Sequence, residues 1–205
     1  MNVDKNNQQL PKKATIAHIS DLHLSSADAW QNFNALRAAI TQIEPKPSAI
    51  IASGDFLDHP DPAAVITALR KTFGQHEQPK NLAYVREQLV QLCRECGERC
   101  ELIVVPGNHD CRMFGLTSWK NQTAKFNRVF KDWGNSLFFL QDVRPVAIFC
   151  LDSNTNDARI NAARGCVGKD EYARFEHEFE KLQKANGEIF DNAFKIVVLD
   201  RKSVV

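Results

Sequence analysis

Three short apolar runs, each followed by a cluster of Asp, His and Gly, constrain this chain more than any other feature. The runs occupy residues 14–19 (ATIAHI), 48–53 (SAIIAS) and 102–105 (LIVV). Asp21 and His23 follow the first, Gly54 and Asp55 the second, and Gly107, Asn108, His109 and Asp110 the third. Helical patterns separate them. Trp30, Phe33, Leu36, Ile40 and Ile43 recur at the spacing of one helix face, which predicts an amphipathic helix over residues 30–44 ended by Pro45 and Pro47. Residues 61–73 and 81–95 read as two more helices with a polar break between them. This β-α-β-α-β order predicts a parallel sheet with helices on its faces. Strands covered on both sides read as continuous apolar runs, as these three do.

Beyond them, residues 118–133 read as a helix and residues 137–140 and 146–151 as paired strands. Residues 169–185 read as a helix and residues 194–199 as a last strand. Residues 1–13 are a polar leader, and residues 14–205 read as one domain. Its 43% hydrophobic and 25% charged residues are those of an ordinary globular protein. A net charge of +1 gives no case for attraction to nucleic acid or membranes, although a neutral protein can still carry a basic groove. No apolar stretch reaches the roughly 18 residues of a membrane span, and the polar start is no secretory signal. Six cysteines without such a signal point to reduced thiols and a cytoplasmic setting. No protein partner is specified.

In an open parallel sheet the carboxyl ends of the strands line one crevice. The three clusters are therefore expected to meet, although they are far apart in sequence. Asp, His and Asn together suit divalent ions that accept mixed oxygen and nitrogen donors. A carboxylate such as Asp55 can bridge two ions. Ions held roughly 3.5–4 Å apart can clamp the attacking and leaving oxygens of a phosphoryl transfer and lower the pKa of a bound water. Glycines beside Asp55 and Asn108 fit turns that bring backbone close to a ligand. Any one cluster alone is more simply a solvated loop; the three in order are not.

The set SDLH, SGD and PGNHD, extended by LDSN at residues 151–154, resembles the calcineurin-like metallophosphoesterases. The resemblance implies a two-sheet α/β sandwich that hydrolyses phosphate monoesters or diesters through two divalent metals and metal-activated hydroxide. Manganese, iron, zinc and magnesium all suit these ligands. Cyclic nucleotide phosphodiesterases are one subgroup. By position, Asp21 and His23 would bind the first metal, Asp55 would bridge, and Asn108 would bind the second. His109 would face the substrate as an acid or as a stabiliser of developing charge. Asp110 would orient the His109 ring.

The sequence also departs from that pattern. The resemblance implies three more metal-ligating histidines at and beyond a later strand, but no histidine lies beyond His177. The expectation is a partial domain that lacks the C-terminal strands of its second sheet and exposes an apolar face and a sheet edge. The alternative function is an inactive fragment with at most one metal site. Asp200 stands near an expected histidine; a polar residue at a strand end is usually solvated, and an oxygen ligand is the rarer reading.

Weaker candidates remain. His59, Asn154 and Arg164 are possible substrate contacts, each with a solvated loop or structural turn as the plainer account. His18 reads as a satisfied core histidine, and His76 and His177 as surface. Cys93, Cys96, Cys100 and Cys111 match no standard metal-finger spacing and read as buried or surface thiols.

Overall fold

The apolar runs fold as strands that end level with one another. The computed structural model describes residues 15–57, 81–111, 123–131, 133, 137–140, 145–154 and 166–200. Strands β1 (Ile16–Ser20), β2 (Ala49–Ser53) and β3 (Glu101–Val105) form a parallel sheet in the order β1-β2-β3. Ser20 pairs with Ser53 and Ser53 with Val105, so the three following loops leave one edge together.

Helices α1 (Ala27–Thr41) and α2 (Leu82–Cys96) begin where side chains cap them. The Ser26 Oγ accepts from Ala29 N at 3.1 Å, and the Asn81 Oδ1 accepts from Tyr84 N at 3.0 Å. Such caps satisfy amide donors that the helix itself leaves open. The Ser26 cap is why α1 starts before the predicted residue 30. Two short helices, α3 (Asn108–Cys111) and α6 (Glu188–Asp191), show too little periodicity to be read from sequence. Helix α4 (Thr123–Val129) falls within the predicted 118–133, and α5 (Lys169–Asn186) matches its expected span within one residue.

A second sheet has the order β4-β5-β6. Strand β4 (Leu137–Leu140) is antiparallel to β5 (Val146–Leu151), and β6 (Phe194–Leu199) is parallel to β5. The period-2 alternation of strands then sorts side chains into three cores. Ala49, Ile51, Ile103 and Val105 pack between the sheets on Val146, Ile148, Cys150 and Val198. Ile50, Ala52 and Val104 face the other way, onto Trp30, Phe33, Leu89, Leu92 and Phe126 of α1, α2 and α4. Ala147 and Phe149 pack on Phe175, Phe179 and Phe190 of α5 and α6. The result is the expected α/β sandwich, with helix, sheet, sheet and helix layers.

β6 is an edge of its sheet among the described residues, with Phe194 59% and Val197 47% exposed. His18 differs from expectation. It lies on β1, an edge of its sheet among the described residues, and is exposed, with its ring Nε2 2.7 Å from Ser53 Oγ, so it is satisfied but not core. The leader, the helix predicted over 61–73, and His59, His76 and Arg164 lie outside the described residues.

Candidate metal centre

The loops after β1 and β2 run side by side, held by main-chain bonds. Asp21 N donates to Gly54 O at 3.3 Å, His23 N to Asp55 O at 2.9 Å, and Leu24 N to Phe56 O at 2.8 Å. Within them Asp21, His23 and Asp55 adopt φ of 53°, 43° and 51°. They are the only non-glycine residues with positive φ among the described residues. This left-handed backbone costs an L-residue about 1–2 kcal/mol. Such strain persists where the surroundings over-determine it, often at functional sites.

The same three residues form a potential metal-binding group. Asp21, His23 and Asp55 each offer a ligand atom, and these atoms lie within 4.8 Å of one another. Two donors at roughly 2.0–2.2 Å from a shared ion lie at most about 4.4 Å apart. Small side-chain movement therefore closes the trio around a divalent cation. A carboxylate pair with one imidazole suits borderline and hard ions.

Two glycines make the approach of the loops possible. A Cβ on Gly107 would overlap the main-chain N and Oδ1 of Asp55 and lie 2.8 Å from Gly54 Cα. A Cβ on Gly54 would overlap Asp200 Oδ1 and lie 2.9 Å from Gly107 Cα. The third loop thereby presses its turn onto Asp55. His109 N donates to Asp55 Oδ1 at 2.9 Å, which orients a carboxylate that is only 7% exposed. Asn108 and His109 are half-buried on this turn. The His109 ring meets the His23 ring edge-on, with centroids 5.1 Å apart.

Asp110 is fully buried. Its Oδ1 accepts from Phe56 N at 3.0 Å and its Oδ2 from Gly107 N at 2.9 Å, so it clasps the second loop to the third. Burial pushes its carboxyl up to about 7, and the charge of Asp55 adds to this. The amides of Gly107, Phe56 and Leu57 pull the other way. A cation beside Asp55 would oppose the rise. The expectation for Asp110 was to orient the His109 ring; the bonds described here run to main-chain amides of the two loops.

Asn154 is also fully buried, beneath the third loop. Its Nδ2 donates to Pro106 O at 3.0 Å, while its Oδ1 has no hydrogen-bond partner. A buried acceptor left open costs about 1–3 kcal/mol, and a hydrated cation nearby would satisfy it. The donor set and this open oxygen fit a divalent ion. Asp200, at the end of β6, is 7% exposed rather than solvated. Sequence reading gave no signal for the Asp110 clasp or the Asn154–Pro106 link, because both depend on which loops meet. Among the described residues no helix is long and apolar enough to cross a membrane.

No curated protein matches the chain. A similar solved structure is the phosphopantetheinyl hydrolase from Mycobacterium tuberculosis, 14% identical with a TM-score of 0.48. The alignment covers 93% of this chain and 69% of that one. Residues 14–192 match the calcineurin-like phosphoesterases, and the chain belongs to that family.

Proposed function

We propose that the chain hydrolyses phosphate monoesters or diesters at a dinuclear centre built on the loops after β1, β2 and β3. Family membership makes it a metal-dependent phosphoric ester hydrolase; the number of ions, the substrate and the residue roles are this proposal. The convergence of Asp21, His23 and Asp55 within 4.8 Å carries it. When bound, two divalent ions supply Lewis acidity to the phosphoryl oxygens and a water acidic enough to attack near neutral pH.

The chain's own residues have separate tasks. Asp21 and His23 would hold one ion, Asn108 would offer its amide oxygen to the second, and Asp55 would serve both. His109, held by its main-chain bond to Asp55, presents its ring to the substrate. There it donates a proton to the leaving oxygen or hydrogen-bonds the charge that develops on the phosphoryl group. Asp110 acts as a positioning residue that keeps the second and third loops in register. Asn154 supports the third loop from below. His59 and Arg164 remain candidate substrate contacts by their place in the sequence.

Hydrolysis of a chromogenic phosphodiester with added manganese tests this. The expected result is metal-dependent turnover that falls by about 100-fold or more in His109→Ala, the range of a lost general acid. A folded, metal-loaded chain without activity above that variant would refute it.

A second reading has its own support. Among the described residues Asp21, His23 and Asp55 are the only group of three or more such ligands, as a mononuclear, inactive metal-binding domain would have. Metal stoichiometry separates the two readings: two ions per chain support the enzyme, and one supports the binder.

A further inference from the structure

We propose that Asp200 supplies a carboxylate oxygen to the ion on the Asn108 side of Asp55, making that half of the centre an all-oxygen site. This rests on the dinuclear reading above and identifies what completes it.

The argument begins with register. β5 and β6 pair in parallel as far as Leu151 and Leu199, so Asp200 emerges beside the turn that follows β5. There Ser153 Oγ donates to the Asp200 main-chain oxygen at 2.6 Å, which fixes the backbone just where the strand ends. The core between the sheets holds Val198 of β6 against residues of β2 and β3. It thus brings the carboxyl end of β6 to those of the first sheet.

The side chain then enters the loops of the first sheet. A Cβ on Gly54 would lie 2.6 Å from Asp200 Cγ, so the carboxyl group occupies the open face of the residue that precedes Asp55. The same face of Gly54 also approaches Gly107, which precedes Asn108 and packs on the Asp55 carboxylate. The Asp200 carboxyl therefore packs on the glycine next to Asp55, and that glycine on the one next to Asn108. Asp200 is 7% exposed, as is Asp55. A buried carboxylate favours a cation beside it, since its charge is otherwise costly to remove from water.

An independent observation points the same way. Asn154 Oδ1 is buried and has no hydrogen-bond partner, and its own amide nitrogen is bonded to Pro106, two residues before Asn108. Asn154 thus packs on the turn that leads to Asn108, and Asp200 on the glycine that precedes Asp55. An all-oxygen site favours manganese or magnesium, whereas the His23 side accepts a softer ion.

The test is direct metal binding by the whole chain, measured by equilibrium dialysis with manganese and by electron paramagnetic resonance. The wild type is expected to bind two ions per chain, with a spectrum broadened by coupling between them. Asp200→Asn keeps the shape of the side chain and is expected to keep the first ion. It should weaken the second by about 10-fold or more, the scale of a lost ligand-shell group, and show isolated manganese. Asp200→Asn with two ions of unchanged affinity would overturn the assignment while leaving the dinuclear reading intact. A wild type that binds one ion or none would overturn the dinuclear reading itself, and the assignment with it. Should the variant fail to fold by circular dichroism, anomalous scattering from manganese-soaked wild-type crystals decides. A peak within coordination distance of the Asp200 carboxylate supports the role, and a peak pair away from it refutes it.

Discussion

The loops that leave the first sheet hold three non-glycine residues with positive φ, whereas the turns after β5 and β6 hold none among the described residues. The loops that leave both sheets meet, and both sheets contribute buried polar groups there. Asp21, His23 and Asp55 are bent out of ordinary backbone geometry so that their side chains meet. Ser153, Asn154 and Asp200 reach their places by simple strand extension and hydrogen bonds. On our proposal the difference marks where the chemistry sits: strain persists in the first sheet where the three candidate ligands meet, while the second sheet supplies support and one further ligand.

The sharpest way to break this comparison is to remove one carboxylate from each sheet. Asp55→Ala is expected to lower manganese affinity and turnover by more than about 100-fold, beyond the range of a second-layer residue. Asp152 follows β5 and accepts from Asn154 N at 2.8 Å. Asp152→Ala is expected to leave manganese affinity unchanged. Calorimetric titration of both variants measures this, and equal losses would mean that the two ends are not divided as described.

The backbone offers the next test. Gly54 combines φ of 67° with neighbours that a Cβ would strike. Gly54→Ala is expected to cost about 1–2 kcal/mol for the backbone and about 1–3 kcal/mol for overpacking. Gly187 has φ of 50° but nothing within 4 Å of a Cβ. Its alanine variant carries only the backbone cost. Urea denaturation compares them. Similar losses would show that close approach of the loops is not what demands glycine at Gly54.

Much of the fold was legible in the sequence, and the reasons are local. β4, β5 and β6 have the predicted bounds because each is an apolar run between turn residues. Asp21, His23, Asp55, Asn108 and His109 were legible as a set because each follows a strand of one parallel sheet. Their left-handed backbone was not, since neither Asp nor His signals it as Gly does. The burial of Asp200 and Asn154 was not legible either. Both read as strand-end polar residues, and only the packing of one sheet on the other encloses them.

Smaller effects separate the clasps of the two sheets. Asp110→Asn retains one acceptor where two amides, Phe56 N and Gly107 N, now find one each. Leaving a buried donor open costs about 1–3 kcal/mol. Ser153→Ala removes one neutral bond to the Asp200 carbonyl, a net loss of about 0.5–1.5 kcal/mol. Thermal or urea unfolding ranks them. A reversed order would place the tighter clasp in the second sheet.

The smallest effect belongs to the outer edge of the second sheet. Phe194 is 59% exposed on β6, while Phe149 on the neighbouring strand is 3% exposed and packs on Phe175, Phe179 and Phe190. The same residue type therefore stands in opposite environments on paired strands. Phe194→Ser is expected to change stability by no more than about 0.5 kcal/mol, as for other surface substitutions. It should also reduce self-association, because an exposed apolar residue on a sheet edge invites pairing with another chain. Urea unfolding with sedimentation velocity reads both quantities. A loss above about 2 kcal/mol would mean that Phe194 is covered in solution, and the second sheet would then have a packed edge where the described residues leave it exposed.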